Sequence, residues 1–234
     1  STEIYTSLFV GSVRCVYETD PGHGHEGGTL VNALLHHCAG SLSGIGGVVR
    51  PGIVHRLDLG TTGCLVVAKN DTTHLGLAAQ FKDREVDKRY HAIVCGRLAN
   101  DEGEIDAPIG RHPVHRKLMA VQPNASRDAR TSWRVIERLA NCTLIEATLH
   151  TGRTHQIRVH FKHIGFPLAG DALYGKKATA QLASDTGVRT DRQMLHAQSL
   201  AFTHPRSGKR LEVEATWPND FDQTVAALRK AQTK

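Results

Sequence analysis

No apolar run in this sequence approaches the roughly 20 residues that span a bilayer, and the opening STEIYTSLFVG has no basic leader followed by an apolar stretch. A membrane-spanning protein and a secretory precursor are therefore not expected. There is no initiating Met, which fits a fragment or a processed form. The five cysteines, at positions 15, 38, 64, 95 and 142, show no CxxC spacing. Such a dispersed, odd set fits reduced thiols in the cytoplasm, or in an organelle if a leader has been removed. No GxxxxGK[ST] cradle for nucleotide phosphates is present, and no HExxH, so the 15 histidines do not indicate a zinc hydrolase. Internal repeats and low-complexity tracts are absent as well.

What is there is an ordinary globular composition in 234 residues, enough for one large domain or two small ones. The formal charge of +6 favours a polyanionic partner over an acidic small molecule. His23 and His25 in a Gly-rich loop, and the adjacent His36, His37 and Cys38, lack metal-ligand spacing, so no metal site is expected. The patterning predicts one α+β domain on a mixed, largely antiparallel sheet. Strands are expected at 8–17, 64–68, 90–95, 131–139, 142–150, 195–203 and 211–216. Helices are expected at 30–39 (apolar at Leu30, Leu34 and Leu35, Thr29 as cap, Gly40 as stop) and 71–83 (capped by Asp71 or Thr72, with Leu75, Leu77, Ala78 and Phe81 inward). Two more are expected at 153–164 and 221–230, while 100–122 reads as a basic loop and 176–192 as a surface insertion.

Two stretches carry candidate chemistry. In Pro51–Asn70, Asp58 precedes the turn residues Gly60, Thr61, Thr62 and Gly63, and the apolar run 64–68 follows. An Asp in such a turn usually just caps it, but a loop backed by a strand also suits a reactive carboxylate. Arg56 and Asp58 are two apart, so in extended chain they point the same way. In Leu149–His160, a helix would place Ile157, Phe161 and Ile164 on an apolar face and His155, Arg158 and Lys162 on another, aimed away from the core.

Read together, Val54-His-Arg-Leu-Asp58 with Thr62-Gly63, Lys88-Arg-Tyr90, Gly152-Arg-Thr-His-Gln-Ile-Arg-Val-His160, Phe166-Pro-Leu-Ala-Gly-Asp171 with Tyr174-Gly175, and Leu195-His-Ala197 with Phe202-Thr-His-Pro205 resemble the ordered motifs of the RluA-type pseudouridine synthases. The resemblance covers about residues 28–220. It implies the pseudouridine synthase catalytic fold and isomerisation of uridine in structured RNA, with neither cofactor nor metal; separately, a monomer is expected. Large-subunit ribosomal RNA is the first expected substrate and tRNA the second. A catalytically silent RNA-binding protein of the same fold is the rival reading.

By the same resemblance Asp58 is the catalytic carboxylate, Arg158 the arginine that pairs with it, and Tyr90 the ring that stacks on the target base. Arg56 helps hold that base out of its stack, and His55, Thr62, Lys88, Arg153 and His155 are the other expected RNA contacts. Three features depart from the family pattern. Thr62 stands where Ser is usual, residues 1–27 lack an Asn-Lys-Pro strand, and no separate amino-terminal RNA-binding domain is expected.

Overall fold

β-branched and aromatic segments separated by glycine turns alternate with amphipathic stretches along this chain, and each forms its own element. In the computed structural model, residues 3–5, 8–14, 30–38, 42–45, 47, 50–124 and 127–232 are described. In chain order the elements are β1 (Glu3–Tyr5), β2 (Leu8–Arg14), α1 (Leu30–His37), β3 (Thr62–Ala68), α2 (Asp71–Asp83), β4 (Asp87–Cys95), β5 (Glu102–Asp106) and β6 (Ile109–Arg111). There follow β7 (Met119–Val121), β8 (Arg130–Leu139), β9 (Cys142–Leu149), α3 (Gln156–His163), α4 (Lys176–Thr186), β10 (Leu195–Thr203), β11 (Arg210–Glu214) and α5 (Asn219–Gln232). This is an α+β architecture, as expected. The expectations for residues 15–17, Thr29, Gly40 and the His23/His25 loop fall outside the described residues.

The chain forms two compact units, each drawn from two stretches: Ser1–Lys88 with Ala197–Thr216, and Arg89–His196 with Trp217–Lys234. In the first unit hydrogen-bonded strands run β1-β2-β3-β10, with β11 beside β10. β3 is buried at all seven positions, which explains its continuous rather than alternating apolar run. Gly63, the second residue of that strand, has φ +116°, and a Cβ there would lie 2.2 Å from the Ala197 carbonyl oxygen, so only glycine lets β10 approach. A core of Cys64, Val66, Ala68, Leu77, Val86, Leu200, Phe202 and Ala215 fills this unit.

α2 is capped by Asn70, whose side chain accepts the Thr73 N–H at 2.9 Å. Asp71, one of the two expected caps, instead accepts from the Ser43 hydroxyl at 2.7 Å. Of the residues expected inward, Leu77 is fully buried but Leu75 is 61% exposed. Gln80 takes the place on the buried face, its carboxamide donating to the Thr203 carbonyl and accepting the Thr203 N–H. α1 likewise buries Val31 and Leu34 rather than Leu35.

In the second unit the order is β4-β9-β8-β5, all antiparallel. Phe221, Val225 and Leu228 of α5 pack on Ile93, Leu139, Cys142 and Leu144, each large side chain contributing about 1.5–3 kcal/mol of burial. The stretch expected as a basic loop holds β5 and the β6–β7 hairpin, and the expected surface insertion holds α4, which buries only Leu182.

Candidate active site

The Asp58 loop is held on both sides of the carboxylate. Upstream, the His55 Nε2 accepts the Val66 N–H of β3 at 3.0 Å. The His55 ring stacks on Phe81 of α2, with centroids 4.7 Å apart and planes 21° from parallel. Because Nε2 accepts, the proton of this imidazole sits on Nδ1. Burial, and after it the charge of Lys88, lowers the His55 pKa to about 3, so the ring is neutral at physiological pH. Leu57 is buried, Arg56 beside it is exposed, and Asp58 is half-buried.

Downstream, the Asp58 carbonyl accepts the Thr61 N–H at 2.9 Å, closing a turn with Gly60 at φ +79°. Positive φ at the third residue requires glycine there. The turn is thus made by the backbone of Asp58, and its carboxylate is not needed as the closing group.

Thr62 and Lys88, expected among the RNA contacts, are both inside this unit, 2% and 8% exposed. The Lys88 Nζ lies 5.9 Å from the Phe81 centroid. Burial lowers its pKa, with Asp87 opposing and Arg84 adding to the effect. Thr62 begins β3 and Lys88 lies in β4, so both are placed by strands and not by the loop itself.

In the second unit Tyr90 lies in β4 opposite Ala147 and is largely buried. α3 begins at Gln156, three residues later than the pattern predicts, because His155 takes φ +57°. Gln156 fixes that start. Its Oε1 accepts the Thr151 hydroxyl and the Arg153 N–H, and its Nε2 donates to the Arg130 carbonyl and Thr131 hydroxyl. All four hydrogen-bonding sites of the buried carboxamide are used.

Arg158 does not point to solvent with His155 and Lys162, as a two-faced helix predicts. It is buried, and its Nε and Nη2 donate to Oδ2 and Oδ1 of Asp171 at 2.7 and 3.0 Å. Arg153, expected on RNA, donates to the Asp128 carbonyl at 2.9 Å. The His155 Nδ1 is 2.8 Å from the Tyr174 hydroxyl. Asp171 and Tyr174 belong to the stretch Phe166–Gly175, to which the sequence alone assigns no role. The signal for them was present in the spacing, since Asp171 also accepts the Leu173 and Tyr174 N–H groups, a local turn typical of Asp.

The structure gathers His55, Arg56, Asp58, Thr62 and Lys88 in one unit and Tyr90, Arg153, His155 and Arg158 in the other. Among the described residues no group of three His, Cys, Asp or Glu side chains could hold a metal, and no helix is long and apolar enough to cross a membrane. Burial raises the thiols of Cys64 and Cys95 to about 11 and that of Cys142 to about 12, so none of the three is a thiolate nucleophile.

The RNA pseudouridylate synthase family model matches residues 30–163, more than half of the chain. Ribosomal large subunit pseudouridine synthase D of Zymomonas mobilis is 51% identical over 202 residues, which cover 86% of this chain and 63% of that protein. The uncharacterized RNA pseudouridine synthase YlyB of Bacillus subtilis is 49% identical over 210 residues, covering 90% of this chain and 66% of the relative. Among solved structures, human RNA pseudouridylate synthase domain containing 1 superposes with a TM-score of 0.73 at 25% identity, over 97% of this chain and 93% of that one.

The chain belongs to the RNA pseudouridylate synthase family, and within it to the RluA type that its motifs resemble. It spans about two thirds of the length of the two relatives named.

Proposed function

We propose that this chain isomerises uridine to pseudouridine in RNA and that its substrate class is large-subunit ribosomal RNA. The reaction breaks the bond from ribose C1′ to N1, turns the base, and joins C1′ to C5. The C5 proton leaves and N1 gains one, so nothing is consumed. The observation that carries the reading is the build of the Asp58 loop. A half-buried carboxylate stands on a turn its own backbone closes, pinned upstream by His55 on β3. A carboxylate held this way meets the ribose without first losing conformational freedom.

Asp58 acts in cleavage of the glycosidic bond, Arg158 takes part in the same step, and Tyr90 stacks on the target base. Exposed Arg56, next to buried Leu57, supports a role in holding the extruded nucleotide. The charge of +6 supports backbone binding. The names of the relatives from Zymomonas mobilis and other bacteria support the ribosomal assignment.

The test is pseudouridine formation in large-subunit ribosomal RNA and in bulk tRNA transcripts by the chain and by Asp58→Asn. The expected result is product in the ribosomal RNA from wild type, none from the variant, and RNA binding retained by both. Product confined to tRNA would move the substrate class, and binding without product from wild type in either RNA would overturn the enzymatic reading.

A further inference from the structure

Arg158 is a tightly held, buried cation of its unit. Its guanidinium gives two parallel bonds to Asp171, and its carbon lies 5.1 Å from the Tyr174 ring centroid. The carboxylate is equally fixed, since Oδ1 also accepts the N–H groups of Leu173 and Tyr174 at 3.0 Å each. Asp171 is 0% exposed and Arg158 4%. The Tyr174 hydroxyl is anchored in turn, accepting the Met119 N–H of β7 at 2.9 Å and meeting His155 Nδ1 at 2.8 Å. With Nε and Nη2 tied and one face of the guanidinium against a ring, the direction of Nη1 is set. Burying both charges is costly, and such a pair is weak evidence of a contribution to stability. Its distinctive product is geometry.

We propose that Asp171 and Tyr174 are positioning residues of the isomerisation, acting on it only through the orientation of Arg158. The inference rests on the reading that Arg158 takes part in the reaction. Asp171 sets the plane and heading of the guanidinium, and Tyr174 supports its face while tying it to the β6–β7 hairpin.

A double-mutant cycle tests this, with single-turnover pseudouridine formation and RNA affinity measured on a large-subunit ribosomal RNA transcript. Asp171→Asn is expected to slow the chemical step about 10- to 100-fold, as expected for a misplaced group, with RNA affinity changed less than about threefold. In an Arg158→Lys background, where the two-pronged fork is already gone, the same change should alter the rate by less than about twofold. Tyr174→Leu leaves the ion pair in place and removes the ring together with its hydroxyl's bonds to Met119 and His155. It should show the same dependence on Arg158, and it carries the test if Asp171→Asn does not fold.

A wild-type rate in both variants, equal losses in both backgrounds, or a loss confined to RNA affinity would overturn the proposal while leaving the enzyme assignment intact. No product from the wild-type chain would overturn that assignment and this inference together.

Discussion

The imidazole of His55 and the backbone of Val66 are bonded, Nε2 accepting the N–H at 3.0 Å. The residue three before Asp58 is thereby tied to the middle of β3. Removing the acceptor while keeping a ring on Phe81, as His55→Phe does, leaves a backbone N–H without its partner. That should lower unfolding free energy by about 1–3 kcal/mol. His55→Gln, which can present an oxygen near the Nε2 position, should recover part of the loss. Urea unfolding of the three proteins measures both.

Acid should weaken the fold in a definite window. Burial, then Lys88, puts His55 at about 3. Burial also lowers His160, against the opposing effect of its bond to the Ala107 carbonyl. Both hold a proton less tightly in the fold than in the unfolded chain, where they would be protonated below about pH 6.5. The unfolded state then binds more protons, so their contribution is complete above about pH 6.5 and is lost as pH falls, for His55 down to about 3. The slope is at most about 1.4 kcal/mol per pH unit per group. Unfolding curves between pH 7 and 4 should show the decline, and His55→Gln should flatten it.

Two leucines of α2, two positions apart, should behave oppositely. Leu77→Ala empties a fully buried site and should cost about 2–5 kcal/mol. Leu75→Ser changes a side chain that is 61% exposed and should stay within about 0.5 kcal/mol. Thermal or urea unfolding of the pair settles which face of the helix is inside.

Gly63→Ala should be severe for so small a change. The added methyl would meet the Ala197 backbone at 2.2 Å on a residue with φ +116°. Strain and overpacking together imply a loss of at least about 2 kcal/mol. Soluble yield and the urea midpoint report it. A variant as stable as wild type would mean that β10 can move away from β3.

The Asp58 turn and β3 were legible because each rests on a local rule: glycine where φ is positive, and a continuous apolar run where both faces are buried. β10 was legible to the residue as well. Arg158 was not. α3 is only eight residues long and buries six in succession, Gln156 through Phe161, so a two-faced pattern has no solvent side to find. Its partner Asp171 lies 13 positions away, beyond any helical spacing. β6 and β7, three residues each, are too short to show alternation. α4 has Gly175 at its cap without a side-chain bond, and a single buried residue to mark its face. Asn70 and Asp71 are both good caps, and only tertiary contact with Ser43 decides between them.

The unit that bears Asp58 is completed by β10 and β11, drawn from 197–216 and arriving long after β3 in the order of synthesis. On the ribosome, the segment that carries Asp58 and β3 waits for β10 until about 130 further residues have been made. Closing so long an intervening stretch makes this pairing a late and slow event in folding. The unit that carries the Asp58 loop is therefore complete only once residues 197–216 have joined it.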